Sequence, residues 1–178
     1  MNNAQNNWFY KMCVKQCVKD VALVAGGVIC FVIAIMLFGA HVIGIINFAF
    51  MGLGILMIIR GASALFSKLP KLRDEINMMS PAELAQMGQM APQCIAKTFY
   101  FTEGFLCAPV SYAIIPYYSI ADVHLNAWTY RGHENGYFVN IEFNDGTPAM
   151  DIPVKDMTFR SQFDNFVMMI EQHKKNRG

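Results

Sequence analysis

The stretch "IIPYYSIADVHL", residues 114–125, has the branched and aromatic residues of a β-strand and carries Pro116 in third place. Val, Ile and Tyr suit a pleated, half-buried surface. Proline cannot donate to a ladder, so it belongs at an edge, at the start of a strand or at a bulge. The stretch therefore reads as a strand that ends at a corner on Pro116, then a longer strand from about Ile120 onward.

The neighbouring sequence extends this pattern. Upstream, "KTFYFTEGFLCAP" (97–109) predicts two short strands around a Glu103–Gly104 turn. Downstream, "GYFVNIEFNDGTPAMDIP" (136–153) alternates polar and apolar positions. Asn144-Asp145-Gly146 supplies one hairpin turn, and Asn135-Gly136 is expected to supply another before it. The period then changes. Phe159, Phe163, Phe166, Val167 and Ile170 lie on one face at helical spacing, which predicts a closing helix over about 160–175 with Phe163 buried. Ser161 or Thr158 is its candidate cap, and the basic tail "HKKNRG" complements the helix C-terminus.

A different kind of segment lies nearer the N-terminus. From Val21 to Ile59 there are 39 residues without Asp, Glu, Lys or Arg. One membrane crossing takes about 20 residues, so this block is long enough for two. The middle reads "FGAHVIG" (38–44), and His41 is its one ionisable residue. Two helices are predicted, at about 20–38 and 42–59, joined as a transmembrane hairpin. Lys11, Lys15 and Lys19 precede the first, and Arg60, Lys68, Lys71 and Arg73 follow the second. The turn has no Lys or Arg, so the positive-inside bias puts both termini in the cytoplasm of a multi-pass cell-membrane protein. Ala22, Gly26, Cys30 and Ala34 form a small-residue stripe on the first helix, where another helix can approach closely. The second helix has Ala40, Gly44 and Gly52, with Phe48 interrupting, and Asn47 as its one strongly polar residue within the membrane.

Three regions follow: residues 1–60 with the hairpin, a juxtamembrane connector over 61–95, and a β domain over 96–178. "FSKLPKLRDEINMM" (66–79) reads as a linker helix or a segment lying on the membrane surface. "SPAELAQMGQMAP" (80–92) predicts a short helix over 80–91, with Ser80 as cap, Pro81 at the first helical position, Glu83 completing a capping box and Pro92 ending it. The expected fold class is an α+β membrane protein, with a helical hairpin followed by a small antiparallel barrel or bent sheet and a C-terminal helix.

The proline corner, the glycine turn, the "DG" hairpin and the phenylalanine helix together resemble the bacterial pleckstrin-homology-like domains over roughly residues 97–172. In that family an "IPYSDI-x-x-V" element precedes a strand ending in a "DG" turn and a C-terminal helix. Ile115, Pro116, Tyr117, Ile120 and Val123 occupy the matching places, while Ser119 and Ala121 alter the polar spacing. The resemblance implies a pleckstrin-homology-like shell attached to membrane spans. It also raises phosphoinositide binding, which needs Lys or Arg clustered on the first strand-turn-strand. That turn carries Glu103 and no base, with Lys97 alone before it, so no specific phosphoinositide binding is expected.

Residues 80–178 hold seven Lys/Arg against ten Asp/Glu, a net of −3. An acidic domain is a poor nucleic-acid partner, because phosphate neutralisation supplies most of that affinity. The five cysteines, Cys13, Cys17, Cys30, Cys94 and Cys107, are odd in number and irregular in spacing. They read as free thiols rather than a zinc site. His41, His124, His133 and His173 lack a second histidine at ligand spacing, and His133 and Glu134 fall in a "RGHENG" turn. Asp151 and Asp156 have no partnered base. No catalytic, metal or cofactor site is therefore expected, and the chain reads as a non-enzyme. Two functions remain: an integral membrane protein whose cytoplasmic domain binds proteins or its own copies, or an accessory subunit of a transporter or export system. The first implies a homo-oligomer or a membrane-protein partner.

Overall fold

The computed structural model describes residues 3–39, 44–88, 93–130 and 133–175. It is an α+β chain. A helical turn α1 (Asn3–Asn6) precedes the long helix α2 (Trp8–Gly39). Then come α3 (Ile45–Ser63), a π-helical stretch (Ala64–Lys68), α4 (Leu69–Met78) and α5 (Pro81–Met87). Seven strands follow: β1 (Cys94–Ile95), β2 (Phe99–Phe101), β3 (Phe105–Ala108), β4 (Ala113–Pro116), β5 (Ile120–Tyr130), β6 (His133–Phe143) and β7 (Met150–Val154). Helix α6 (Phe159–Lys175) closes the order. The chain divides into two units, Tyr10–Glu75, and the first nine residues together with Ile76–Gly178.

In the helical unit both helices outrun the apolar block. The first begins at Trp8, not near residue 20, because the segment around Lys11, Lys15 and Lys19 contains no Gly or Pro to stop it. Residues 40–43, with His41, lie outside the described residues. The second continues beyond residue 59 through the π stretch into α4, so residues 61–78 continue the helix rather than forming a separate linker. Pro70 explains the π stretch. Its ring would collide with the carbonyl four residues back, and its missing N–H breaks the ladder. One widened turn accommodates it, and the Leu69 N–H donates to the Ala64 carbonyl five residues back.

Three residues of α3 are buried, Asn47, Gly54 and Gly61, at intervals of seven, the repeat of a packed helical seam. Facing them on α2 is Gly27. A Cβ on Gly27 would lie 2.7 Å from the Gly54 carbonyl oxygen, and one on Gly61 would lie 2.5 Å from the Asp20 carbonyl oxygen. The helices therefore meet backbone to backbone. The stripe expected at Ala22, Gly26, Cys30 and Ala34 meets this seam in part: Ala22 is exposed and Ala34 buried, while a Cβ on Gly26 would lie 3.0 Å from Met57 Cε and one on Gly54 would lie 3.5 Å from Cys30 Cβ. On α3, Gly44 and Gly52 meet nothing within 4 Å. A seven-residue repeat, rather than a four-residue one, keeps a seam facing its partner along long helices.

In the second unit the strands form two antiparallel meanders, β1-β2-β3-β4 and β5-β6-β7. Pro116 ends β4, and a single 3-10 turn, Tyr117–Ser119, leads into β5. The expected strand, corner and longer strand are all present. The Glu103–Gly104 turn joins β2 to β3, and Asn144–Gly146 lies between β6 and β7. Asn135-Gly136 is not a turn. It lies inside β6, where Trp128 pairs with Gly136 and Thr129 with Glu134, leaving Asn135 as an extra residue. This is a β-bulge. Gly136 has φ +156 there, and a Cβ would approach the Val154 carbonyl to 3.1 Å, so glycine is needed for the bulge and not for reversal.

Helix α6 lies over the β-unit core. Phe159, Phe166 and Ile170 are almost fully buried, whereas Phe163 is half-buried at its margin. The expected burial thus belongs to Phe166, whose ring centroid lies 4.5 Å from that of Phe99 and 5.7 Å from that of Phe101. Thr158 stands just before the helix, and Ser161 lies within its first turn.

Two features were not foreseen. Strand β1 is only two residues long and is joined to β2 by a tight turn. Ala96 and Lys97 there have φ of 53° and 50°, and the Thr98 N–H donates to the Ile95 carbonyl at 3.1 Å. Neither residue favours the left-handed region. Replacing the pair by Asn-Gly is expected to raise stability by about 1–2 kcal/mol, since such a turn prefers that dipeptide. Chemical denaturation of the purified chain checks this, and an unchanged midpoint would refute the turn geometry. The second feature is the N-terminal segment. The Ala4 N–H donates to Asn77 Oδ1 at 3.1 Å, and Trp8 Nε1 donates to the Met87 carbonyl at 3.1 Å. Asn7 Nδ2 reaches the Met87 sulfur at 3.5 Å, and the Trp8 and Tyr100 rings lie 5.9 Å apart. Helix α5 starts with the expected capping box, Ser80 accepting from the Glu83 N–H while Glu83 accepts from the Ser80 N–H. These bonds hold the Glu83 carboxyl below its usual range. The helix stops at Gly88, earlier than residue 91. Gly88 has φ +71, a conformation that glycine adopts most readily. Pro92 lies outside the described residues.

Candidate functional site

The proline corner was the strongest motif in the sequence, and its side chains serve packing. Ile115, Tyr117, Ile120 and Val123 are all buried. The Tyr117 ring stacks on His173 of α6 with centroids 4.6 Å apart and planes 7° from parallel, and its hydroxyl donates to the Thr102 carbonyl at 3.2 Å. Asn144, from the turn after β6, pins the corner. Its Nδ2 donates to the Tyr118 carbonyl at 2.9 Å and to that of Ile120 at 3.3 Å, and its N–H donates to Ser119 at 2.9 Å. The motif joins the two sheets, and Tyr118 is its outward ring, 70% exposed.

The two turns relevant to a head-group site are plain to describe. Lys97 is exposed at the β1–β2 turn. Asp156 is held below the usual carboxylate range mainly by hydrogen bonds from Thr158, with Lys97 adding a smaller favourable charge. At the next turn, the Glu103 N–H donates to the Gln86 carbonyl of α5 at 3.2 Å. Lys97 thus sits near Asp156, and the following turn carries Glu103.

On the outer face of β5-β6-β7, His124 Nε2 lies 3.6 Å from both Asp122 and Glu142. Asn140 Nδ2 donates to Asp151 at 2.8 Å. These groups are at least half exposed or in open hydrogen bonds, and each has a neighbour that a surface side chain ordinarily finds. Glu134 accepts from the Tyr137 hydroxyl at 2.8 Å and from Arg160 at 3.1 Å, and the acceptor raises the Tyr137 hydroxyl above its usual pKa. Among the described residues no group of three or more His, Cys, Asp or Glu is placed to hold a metal ion. Cys13, Cys17 and Cys107 are buried, Cys30 is half-buried and Cys94 is exposed, and none is in a disulfide.

Within the helical unit, Ala34, Ile35, Phe38, Gly44, Asn47, Phe48 and Met51 line an open cavity of about 280 Å³. Its lining is almost wholly apolar, and Asn47 is its one amide side chain. The described helices Trp8–Phe38 and Ile45–Met78 are long and apolar enough to cross a membrane.

The remaining surface feature is a sheet edge. Strand β5 has eleven residues and, among the described residues, pairs with β6 alone. Its sequence, "IADVHLNAWTY", has neither proline nor Lys nor Arg. The signal for this was present in the sequence as a long strand without the usual edge-blunting residues. That β5 would be the outermost strand is a matter of topology, which the strand sequence does not carry.

No protein-family model matches the chain. No curated protein matches it, and no solved structure does.

Proposed function

We propose that this chain is an integral membrane protein whose helical hairpin spans the bilayer and whose β unit is a pleckstrin-homology-like module for protein contact or self-assembly, without catalysis. The observation that carries the membrane part is the exposure of its apolar side chains. Val28, Ile29, Ile35, Met36, Phe38, Ile46, Phe48, Leu53, Leu56 and Ile59 are all exposed on α2 and α3. A core helix of a water-soluble protein buries such residues, whereas lipid covers them at no cost. Basic flanks at both ends and none in the turn favour cytoplasmic termini. Support for the pleckstrin-homology-like reading comes from the I-P-Y corner with Ile115 and Tyr117 buried, the two antiparallel meanders and the single closing helix. Protein contact is favoured over lipid recognition because Lys97 lacks cationic neighbours at its turn and the hairpin already provides anchoring.

The test is cysteine accessibility in intact cells. A membrane-impermeant reagent added outside should label His41→Cys and spare both Cys94 and Gly178→Cys. Outside labelling of Gly178→Cys would overturn the topology, and extraction of the chain from membranes by alkaline carbonate would overturn membrane insertion. Vesicle binding that Lys97→Glu abolishes would replace protein contact by lipid recognition.

A further inference from the structure

Among the described residues the two sheets have four edges, and three of them are blunted. Strand β1 is two residues long, β4 is four residues long and ends on Pro116, and β7 is five residues long and contains Pro153. Short strands and prolines are how folded proteins keep edges from pairing with other chains. Strand β5 is the exception. Bulges near its two ends leave Asp122–Trp128 in unbroken register with β6. Along that run the side facing away from β6 has no strand partner among the described residues. Asp122 is its one acid, and its carboxylate accepts from the Val123 N–H at 2.7 Å. Asp122, His124, Asn126 and Trp128 all lie on the exposed face, and Trp128 is 53% exposed.

A row of backbone donors and acceptors without a strand partner selects for an extended polypeptide, because only a strand matches its spacing. We propose that β5 pairs antiparallel with β5 of a second copy of this chain, about a two-fold axis near Leu125 and Asn126. This rests on the protein-contact reading above and names its partner. The strand is compatible with itself. With the axis there, Asp122 stands across from the aromatic end of the other strand, and His124 faces Asn126 or Trp128. No like charges meet, which is the condition cross-strand pairs impose. An isologous contact of this kind closes at a dimer and leaves no further β5 edge open. Two copies held in one membrane plane also meet at raised effective concentration.

Asn126 provides the test, since it is exposed and lies beside the axis in both copies. The full chain, purified in mild detergent, should be a dimer by light scattering. Asn126→Lys should weaken the dimer by about tenfold or more, by setting two lysines side by side across the axis. Asn126→Glu should do the same. Mixing the two variants should restore a dimer containing one of each, which a folding defect could not do. A monomeric parent chain, or a dimer that Asn126→Lys leaves intact, would overturn the β5 pairing. In the latter case the protein-contact reading would stand, because assembly would persist through another surface. A monomeric parent chain that also forms no cross-links in its native membrane would overturn both.

Discussion

Phe166→Ala is expected to cost about 3–5 kcal/mol of stability, the range for removing a fully buried ring. The reason is its position. Phe166 is 0% exposed and touches Phe99, Phe101 and Phe159 at ring centroid distances of 4.5, 5.7 and 5.5 Å. Truncation leaves a void bounded by β2 and the first turn of the helix, and those elements cannot collapse into it without breaking their own packing. Phe163→Ala is the control. It lies one turn earlier on the same helix but is half-buried, so its loss should be clearly smaller. Denaturant titration of the purified chain, followed by near-ultraviolet circular dichroism, compares the two. Equal losses would show that the helix is rotated from its described position.

Gly27→Ala should destabilise the helical pair by about 1–3 kcal/mol, the usual penalty for overpacking. The added methyl would sit 2.7 Å from the Gly54 carbonyl oxygen and 2.8 Å from Ile58 Cγ1. Backbone cannot swing aside as a side chain does, so the helices must part. Gly52→Ala, on the same helix as Gly54 but with nothing within 4 Å, should cost nothing and gain up to about 1 kcal/mol from helix propensity. Unfolding in mixed micelles of rising dodecyl sulfate measures both. A tolerated Gly27→Ala would move the crossing point elsewhere.

The local grammar of the strands was open to reading because it is short-ranged. Pro116 marks a corner by its missing N–H, Ser80 and Glu83 cap a helix within four residues, and alternation through β6 reports one buried face. Helix ends were harder. Around Lys15 a charged helix and an extended approach to a membrane look alike in composition, and nothing local stops the helix before Trp8. The small-residue stripe was only partly right for a related reason. Gly26 and Gly27 both approach α3, but the backbone contact falls at Gly27, and that depends on the partner's rotation, a property of two helices and not of one. Asn135-Gly136 has the composition of a turn, yet the bulge in β6 uses the same glycine freedom. Phe163 and Phe166 differ by one turn, and only the position of β2 decides which fills the core. The open edge of β5 was not legible, since edges are defined by what fails to pair with them.

The docking of Asn7 and Trp8 on Met87 has a consequence for biogenesis. Asn7 and its sulfur partner are separated by 80 positions in the chain. A ribosome adding about 5–20 residues per second needs on the order of ten seconds to cover that distance. During that interval the first residues of the β unit have left the tunnel without their binding site, while both long helices are being made. The unit therefore completes its own packing only after Met87 has been made, by taking up a leading segment synthesised long before it. A fragment beginning at Ser80 would lack that segment, leaving Met87 and one side of Tyr100 open to solvent, and would be a poorer substitute for the native unit than its strand content suggests.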